Sequence, residues 1–226
     1  MSSFWIIVPV KNTQHSKQRL MASLDVHQRR SLALAMLEDV LSAIAPVRSL
    51  ARCAVVTIDT DATAMAERYG MRVLTEGASD GHTGSVSAAA RLLGNEGARG
   101  FLTLPGDIPN VATSEIEAVL HAHRQAPAFT IAPSHDELGS NAVACSPVDA
   151  VPLRFGSDSY FPHLAAARRA GIEPTVLRLP GIAMDIDTPE DLARFMRLEP
   201  RVPTRALAYL ESLPGFGVAA AQGESA

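Results

Sequence analysis

Apolar residues fall along this chain in two rhythms. Continuous runs rich in β-branched or aromatic residues occupy 4–8, 54–58 and 100–104. Such runs, bounded by polar or glycine-containing segments, predict strands buried on both faces. Shorter extended segments are predicted at 72–74, 128–132, 142–145 and 175–179, with 128–132 and 142–145 flanking a polar turn. The second rhythm is helical. Ala33, Leu37, Val40, Leu41 and Ile44 recur at helical spacing and predict an amphipathic helix that ends near Pro46. Further helices are predicted over 61–69, stopped by Gly70, over 85–93 after a glycine-rich loop at 76–84, and over 114–124 with Thr113 as N-cap. Helices at 161–170, 189–197 and 205–213 complete the pattern.

Strands that alternate with helices predict an α/β fold, with a mostly parallel, Rossmann-like sheet between two helical layers. Ligands of such sheets sit beyond the carboxyl ends of the strands, so functional residues are expected in the loops that follow them. No repeat and no linker divides the 226 residues. The expected organisation is one domain over 1–200, then a C-terminal helix and flexible tail over 201–226.

A net charge of −4 provides no broad basic surface, which argues against nucleic acid as a partner. Affinity for phosphate would have to come from a local basic cluster. Cys53 and Cys145, far apart in apolar runs, read as small buried core residues rather than a disulfide or a zinc site. The first residues lack a basic n-region and are interrupted by Pro9, and no apolar run is long enough to span a bilayer. The expected location is the cytoplasm, with no membrane partner. A homodimer is compatible with the sequence.

Four segments carry candidate chemistry. The first strand runs into Pro9-Val10-Lys11 and Ser16-Lys17-Gln18-Arg19-Leu20, placing Lys11, Lys17 and Arg19 on one loop. Such cations suit a triphosphate, because ammonium groups follow moving charge and a guanidinium grips two oxygens; a solvated basic loop would look similar. The 100–104 strand leads into Pro105-Gly106-Asp107-Ile108-Pro109, where Asp107 either holds Mg²⁺ against phosphate or fills a turn. Asp185 and Asp187 are two apart, so in extended backbone both face one way and repel unless a cation lies between them. Thr188, Pro189, Glu190 and Asp191 are explained by helix capping alone. The fourth segment pairs Gly139-Ser140-Asn141-Ala142 with 155–159, whose N–H and hydroxyl donors suit a phosphate or carboxylate, or an N-cap. His163 reads as a satisfied surface or core histidine. No serine has a His and Asp at triad spacing, and the 77–84 loop lacks a Walker Lys-Ser/Thr ending.

In this order the motifs resemble the phospholactate or phosphoenolpyruvate guanylyltransferase family, which supplies deazaflavin coenzyme (F-420) biosynthesis. The resemblance runs from about Ile6 to Leu192. It implies a fold similar to the nucleotide-diphospho-sugar transferases, with GTP and a small phosphorylated acid as partners and Mg²⁺ as cofactor. By the same resemblance Asp107, Asp185 and Asp187 would hold the metal, and Lys11, Ser140, Asn141, Gly156 and Ser159 the acid. Lys17 and Arg19, with Gly84, Ser87 and Pro105, would meet the nucleotide, and Lys11, Lys17 and Arg19 would serve catalysis. The family's Gly-Leu-Asn segment reads Gly84-Ser85-Val86-Ser87-Ala88 here, and Ser140 stands where threonine is usual.

The implied reaction is attack by a phosphate oxygen of the acid on the α-phosphorus of GTP, expelling pyrophosphate. Phosphoenolpyruvate, 2-phospho-L-lactate and 3-phosphoglycerate all qualify as acceptors. Rival readings are a cytidylyl or sugar-phosphate nucleotidyltransferase, a non-catalytic GTP-binding regulatory protein and a metal-dependent hydrolase.

Overall fold

The computed structural model describes residues 3–123, 125–156, 158–214 and 216. Arg124 of the expected 114–124 helix, Ser157 of the 155–159 motif, and Gly215 and residues 217–226 of the expected tail lie outside them. Seven strands form one sheet: β1 (Phe4–Pro9), β2 (Arg52–Val56), β3 (Arg72–Leu74), β4 (Gly100–Thr103), β5 (Ala128–Pro133), β6 (Ser140–Ser146) and β7 (Thr175–Val176). Their order is β3-β2-β1-β4-β6-β5-β7. β6 pairs antiparallel with β4 and β5, and the remaining pairings are parallel.

Alternation along the strands divides the core into two halves. Ile6, Val8, Val55 and Leu102 pack on one face beneath α1 (Val26–Ile44), α2 (Thr60–Arg68) and α4 (Thr113–Ala122). Trp5, Ile7, Val56 and Phe101 pack on the other beneath α3 (Gly81–Asn95) and α5 (Tyr160–Arg169). That is the expected three-layer arrangement. Cys53 and Cys145 are free, buried and on opposite faces, and burial pushes their thiols up to about 12 and about 11.

A third apolar cluster joins Leu20, Leu24, Leu32 and Met36 to Ile186 and to α6 (Pro189–Arg197) and α7 (Arg205–Ser212). Buried Asp39 fastens α7 to α1 by accepting from the N–H groups of Arg205 (2.8 Å) and Ala206 (2.9 Å), two donors a helix start leaves without a partner. This cluster lies beneath the loop after β1 and so supports the site from below.

Three local expectations are corrected. Thr113 is not the N-cap of α4; Ala112 is, and the Thr113 hydroxyl donates to Ala43 O at 2.9 Å. The end of the helix is organised instead by Glu115, which accepts from Ala112 N–H (3.2 Å) and Gly181 N–H (2.8 Å). α3 begins at Gly81, four residues before its expected start. Gly77 and Gly81, at φ +74° and +72°, turn the chain into it, and a Cβ on Gly77 would meet Ala88 Cβ at 2.5 Å. The glycine-rich loop is therefore shorter than its composition implies. Finally, of the expected extended segment 175–179 only Thr175–Val176 forms a strand, paired with β5.

Candidate active site

Four loops converge at the carboxyl ends of β1, β2 and β4. The loop after β1 is held by Asp59 at the end of β2, whose Oδ2 accepts from Thr13 N–H (2.9 Å) and Thr13 Oγ1–H (2.6 Å). Its other oxygen caps α2 through Asp61 and Ala62 N–H, both at 3.0 Å. Burial alone would raise Asp59, but these four donors hold its carboxyl below the ordinary value.

Lys17 follows with φ +53°, a left-handed backbone uncommon for a residue with a side chain. This turn sends the side chain inward, where it is 7% exposed. Nζ lies 2.6 Å from Asp107 Oδ2 and 2.6 Å from Asp187 Oδ1. Burial disfavours the Lys17 charge, yet the two carboxylates outweigh it and raise its pKa above the ordinary value. For Asp187, burial pulls upward and Lys17, Arg19 and Lys11 together pull further down, so it is held below the ordinary value.

Backbone bonds fix the two acidic segments against each other. Asp107 O accepts from Ile186 N–H at 3.1 Å, and Asp187 N–H donates to Asp191 Oδ2 at 3.1 Å. Asp185, two residues before Asp187, accepts from Asn141 Nδ2 at 2.9 Å. Asn141 is the extra residue of a bulge in β6, since Ala132 pairs with Ala142 and Pro133 with Ser140. Its amide also donates to Ile182 O at 3.0 Å, which fixes its orientation. Burial pushes the Asp185 carboxyl up to about 6; the Asn141 bond opposes this, and the charges of Asp107 and Asp187 add to it. Among the described residues no group of three or more His, Cys, Asp or Glu side chains stands where together they could hold a metal ion as the side chains lie.

These groups open on a cleft of about 490 Å³. Of the expected site residues, Lys11, Lys17, Arg19, Pro105, Asp107 and Asp187 line it. Sequence reasoning missed His82 and Ser85, which face it from α3. One helical turn separates them, a signal hidden because the helix starts earlier than its glycines imply. The His82 ring packs on Phe155 with centroids 4.3 Å apart, and burial lowers its pKa to about 4.

Ser87 is corrected. It is exposed and lines a different depression with Arg91 and Asn95, because two helical positions beyond Ser85 is roughly the opposite face. Gly84 does not line the cleft either; it packs on Asp80, whose Cβ a side chain there would meet at 2.4 Å. Asp185, Ser140, Asn141, Gly156 and Ser159 form a flanking group rather than the cleft wall. Asn141 links that group to Asp185, and Phe155, bonded through its N–H to Thr83 Oγ1 at 2.9 Å, links it to His82.

The architecture is that of the nucleotide-diphospho-sugar transferase-like fold. A Desulfovibrio desulfuricans G20 protein provisionally assigned to those transferases superposes with a TM-score of 0.75 at 20% identity, covering 93% of this chain and 95% of that one. The model of the family described as "Guanylyl transferase CofC like" matches residues 4–225, and the chain belongs to that family. Its relatives include the 3-phospho-D-glycerate guanylyltransferase of Colwellia psychrerythraea, 36% identical over 83% of this chain and 88% of the relative. The phosphoenolpyruvate guanylyltransferase of Rubrobacter xylanophilus is 35% identical over 85% and 93%. Among the described residues no helix is long and apolar enough to cross a membrane.

Proposed function

We propose that this chain is a Mg²⁺-dependent guanylyltransferase that joins GMP from GTP to a small phosphorylated acid and releases pyrophosphate, in the service of deazaflavin coenzyme biosynthesis. Family membership supports the reaction class, and the names of the relatives support the two substrates. The observation that carries the reading is the Lys17 ammonium shared by Asp107 and Asp187 at the mouth of β1 and β4.

The donor set fits a hard divalent cation. Asp107, Asp185 and Asp187 offer only carboxylate oxygens, the donors such a cation prefers, and burial first, then the charges of Asp107 and Asp187, raises the Asp185 pKa. These three residues would hold Mg²⁺. When bound, Mg²⁺ supplies charge neutralisation at the α-phosphate and at the leaving pyrophosphate.

The protein's own groups perform the remaining work. Lys11, Lys17 and Arg19 hold the triphosphate and balance the charge that builds as the bond from the α-phosphorus to its bridging oxygen breaks. Ser140, Asn141, Gly156 and Ser159 orient the acid so that its phosphate oxygen attacks in line. That oxygen is already ionised near neutral pH, so no general base is required. The new pyrophosphate linkage forms as pyrophosphate departs.

The test is incubation with Mg²⁺, each of GTP, ATP, CTP and UTP, and each of phosphoenolpyruvate, 2-phospho-L-lactate and 3-phosphoglycerate, followed by mass analysis. A GMP adduct of at least one acid is expected. Adducts with another base alone, or GTP breakdown that is independent of every acid, would refute the assignment.

A further inference from the structure

Beside the cleft, Ser140, Ser159 and His163 form a buried polar cluster, exposed by 8%, 1% and 1%. His163 Nδ1 lies 3.0 Å from Ser140 Oγ, and its Nε2 accepts from the Arg154 backbone N–H at 3.0 Å. A backbone N–H can only donate, so Nε2 carries no proton. Burial, with His82 and Arg154 adding to it, lowers the His163 pKa to about 4, so near pH 7 the ring is neutral and its single proton resides on Nδ1. His163 therefore donates to Ser140.

That assignment decides how many donors the cluster has left. Ser140 Oγ accepts from His163 and from Ser159 Oγ–H at 3.1 Å. Its own proton then has no acceptor among the described residues. Reversing the serine–serine bond moves the free proton to Ser159 without removing it. With the other tautomer, Ser159 would donate to Ser140 and Ser140 to Nδ1, and no donor would remain. A nine-tenths-buried hydroxyl with a free proton is costly unless something accepts from it. The Phe155 ring, 5.0 Å from His163 and 4.3 Å from His82, places the cluster directly behind the cleft wall.

We infer that His163 is a positioning residue for the phosphorylated acid: by donating from Nδ1 to Ser140, it keeps one serine hydroxyl proton free for an anionic oxygen of that substrate. The inference rests on the guanylyl-transfer reading for the identity of the anion, and its tests separate the two.

Three measurements bear on it. Nitrogen NMR of ¹⁵N-histidine protein at pH 7 is expected to show His163 protonated on Nδ1; protonation on Nε2 would overturn the inference with no variant needed. His163→Leu is expected to weaken equilibrium binding of phosphoenolpyruvate or 3-phosphoglycerate, and to raise the KM of the acid, by about tenfold or more, leaving the KM of GTP within about twofold. His163→Asn, whose amide can donate to Ser140 in place of Nδ1, is expected to recover most of that loss. Equal losses toward GTP and acid, or no rescue by Asn, would mark His163 as structural only and overturn the inference. If the wild type binds acid in the His163-dependent way but transfers GMP to none, the transferase reading fails and the positioning role stands.

Discussion

Lys17 Nζ and Asp187 Oδ1 lie 2.6 Å apart although 170 residues separate them in the chain. The same ammonium meets Asp107 at the same distance, so one cation unites the loop after β1, the turn after β4 and the segment before α6. It neutralises the very carboxylates to which a divalent cation would bind. A divalent cation held as proposed would compete with Lys17 for Asp107 and Asp187, and its binding with GTP would free the ammonium for phosphate.

Replacing Lys17 by Met separates those roles. Turnover is expected to fall by about 100-fold or more, the size typical of losing a group that stabilises transition-state charge. Affinity for Mn²⁺ without nucleotide is expected to rise, because the competing ammonium is gone. Titration calorimetry with Mn²⁺ checks the second point, and weaker binding in Lys17→Met would contradict the competition.

Asp191 acts on the same centre through backbone. Its Oδ2 accepts from Asp187 N–H, Thr188 N–H (2.8 Å) and Thr188 Oγ1–H (2.9 Å). Asp191→Ala strips three donors of their acceptor and is expected to cost about 1–3 kcal/mol of stability. It should also lower kcat more than it raises the KM of GTP, since the displaced group is the Asp187 carboxylate, which under the proposed function would hold the metal. Asp191→Asn keeps one acceptor oxygen and is expected to lie between. Thermal melts alongside steady-state kinetics decide this.

Gly181 tests the packing that holds the acidic segment in place. A Cβ there would come within 2.3 Å of both Asn110 O and Glu115 Oε2. Backbone has to shift, so Gly181→Ala is expected to destabilise the fold by about 1–3 kcal/mol and to reduce turnover through Asp185 and Asp187. Urea unfolding gives the first value. An unchanged midpoint would mean that this loop is not confined.

Histidines with lowered pKa values, among them buried His163 and half-buried His123, set an acid limit on stability. His123, bonded to Thr130 Oγ1 and Ser146 Oγ, and His163 both have pKa values lowered to about 4. The unfolded chain takes up protons on these rings near pH 6.5, whereas the folded chain resists until about pH 4. Their contribution is complete above about pH 6.5 and is lost as pH falls from there towards 4. Urea midpoints at pH 7, 6, 5 and 4 are expected to drop across that window, and less steeply in His123→Gln.

The sequence made the sheet legible because strands buried on both faces read as unbroken apolar runs, as in residues 4–8 and 100–104. Charged residues at strand ends, Lys11, Lys17, Asp107 and Asp187, were equally visible, and the structure brings them to one cleft. Hidden were features that depend on backbone geometry. Nothing in the string marks Lys17 as left-handed, and without that turn its pairing with two aspartates cannot be foreseen. Glycines at 77, 81 and 84 masked the first turn of α3, which carries His82 to the cleft beside Ser85, whereas Ser87 was expected at the nucleotide from the family resemblance alone. The bulge that aims Asn141 at Asp185 depends on strand register, which local sequence does not record.

Pyrophosphate release by wild type and Asp107→Ala, measured with GTP, Mg²⁺ and each phosphorylated acid, tests the carboxylate centre most directly. Wild type is expected to release pyrophosphate only when an acid acceptor is present. Asp107→Ala is expected to lose about 100-fold or more of that rate while keeping a cooperative thermal transition. Near wild-type release by folded Asp107→Ala would contradict the account.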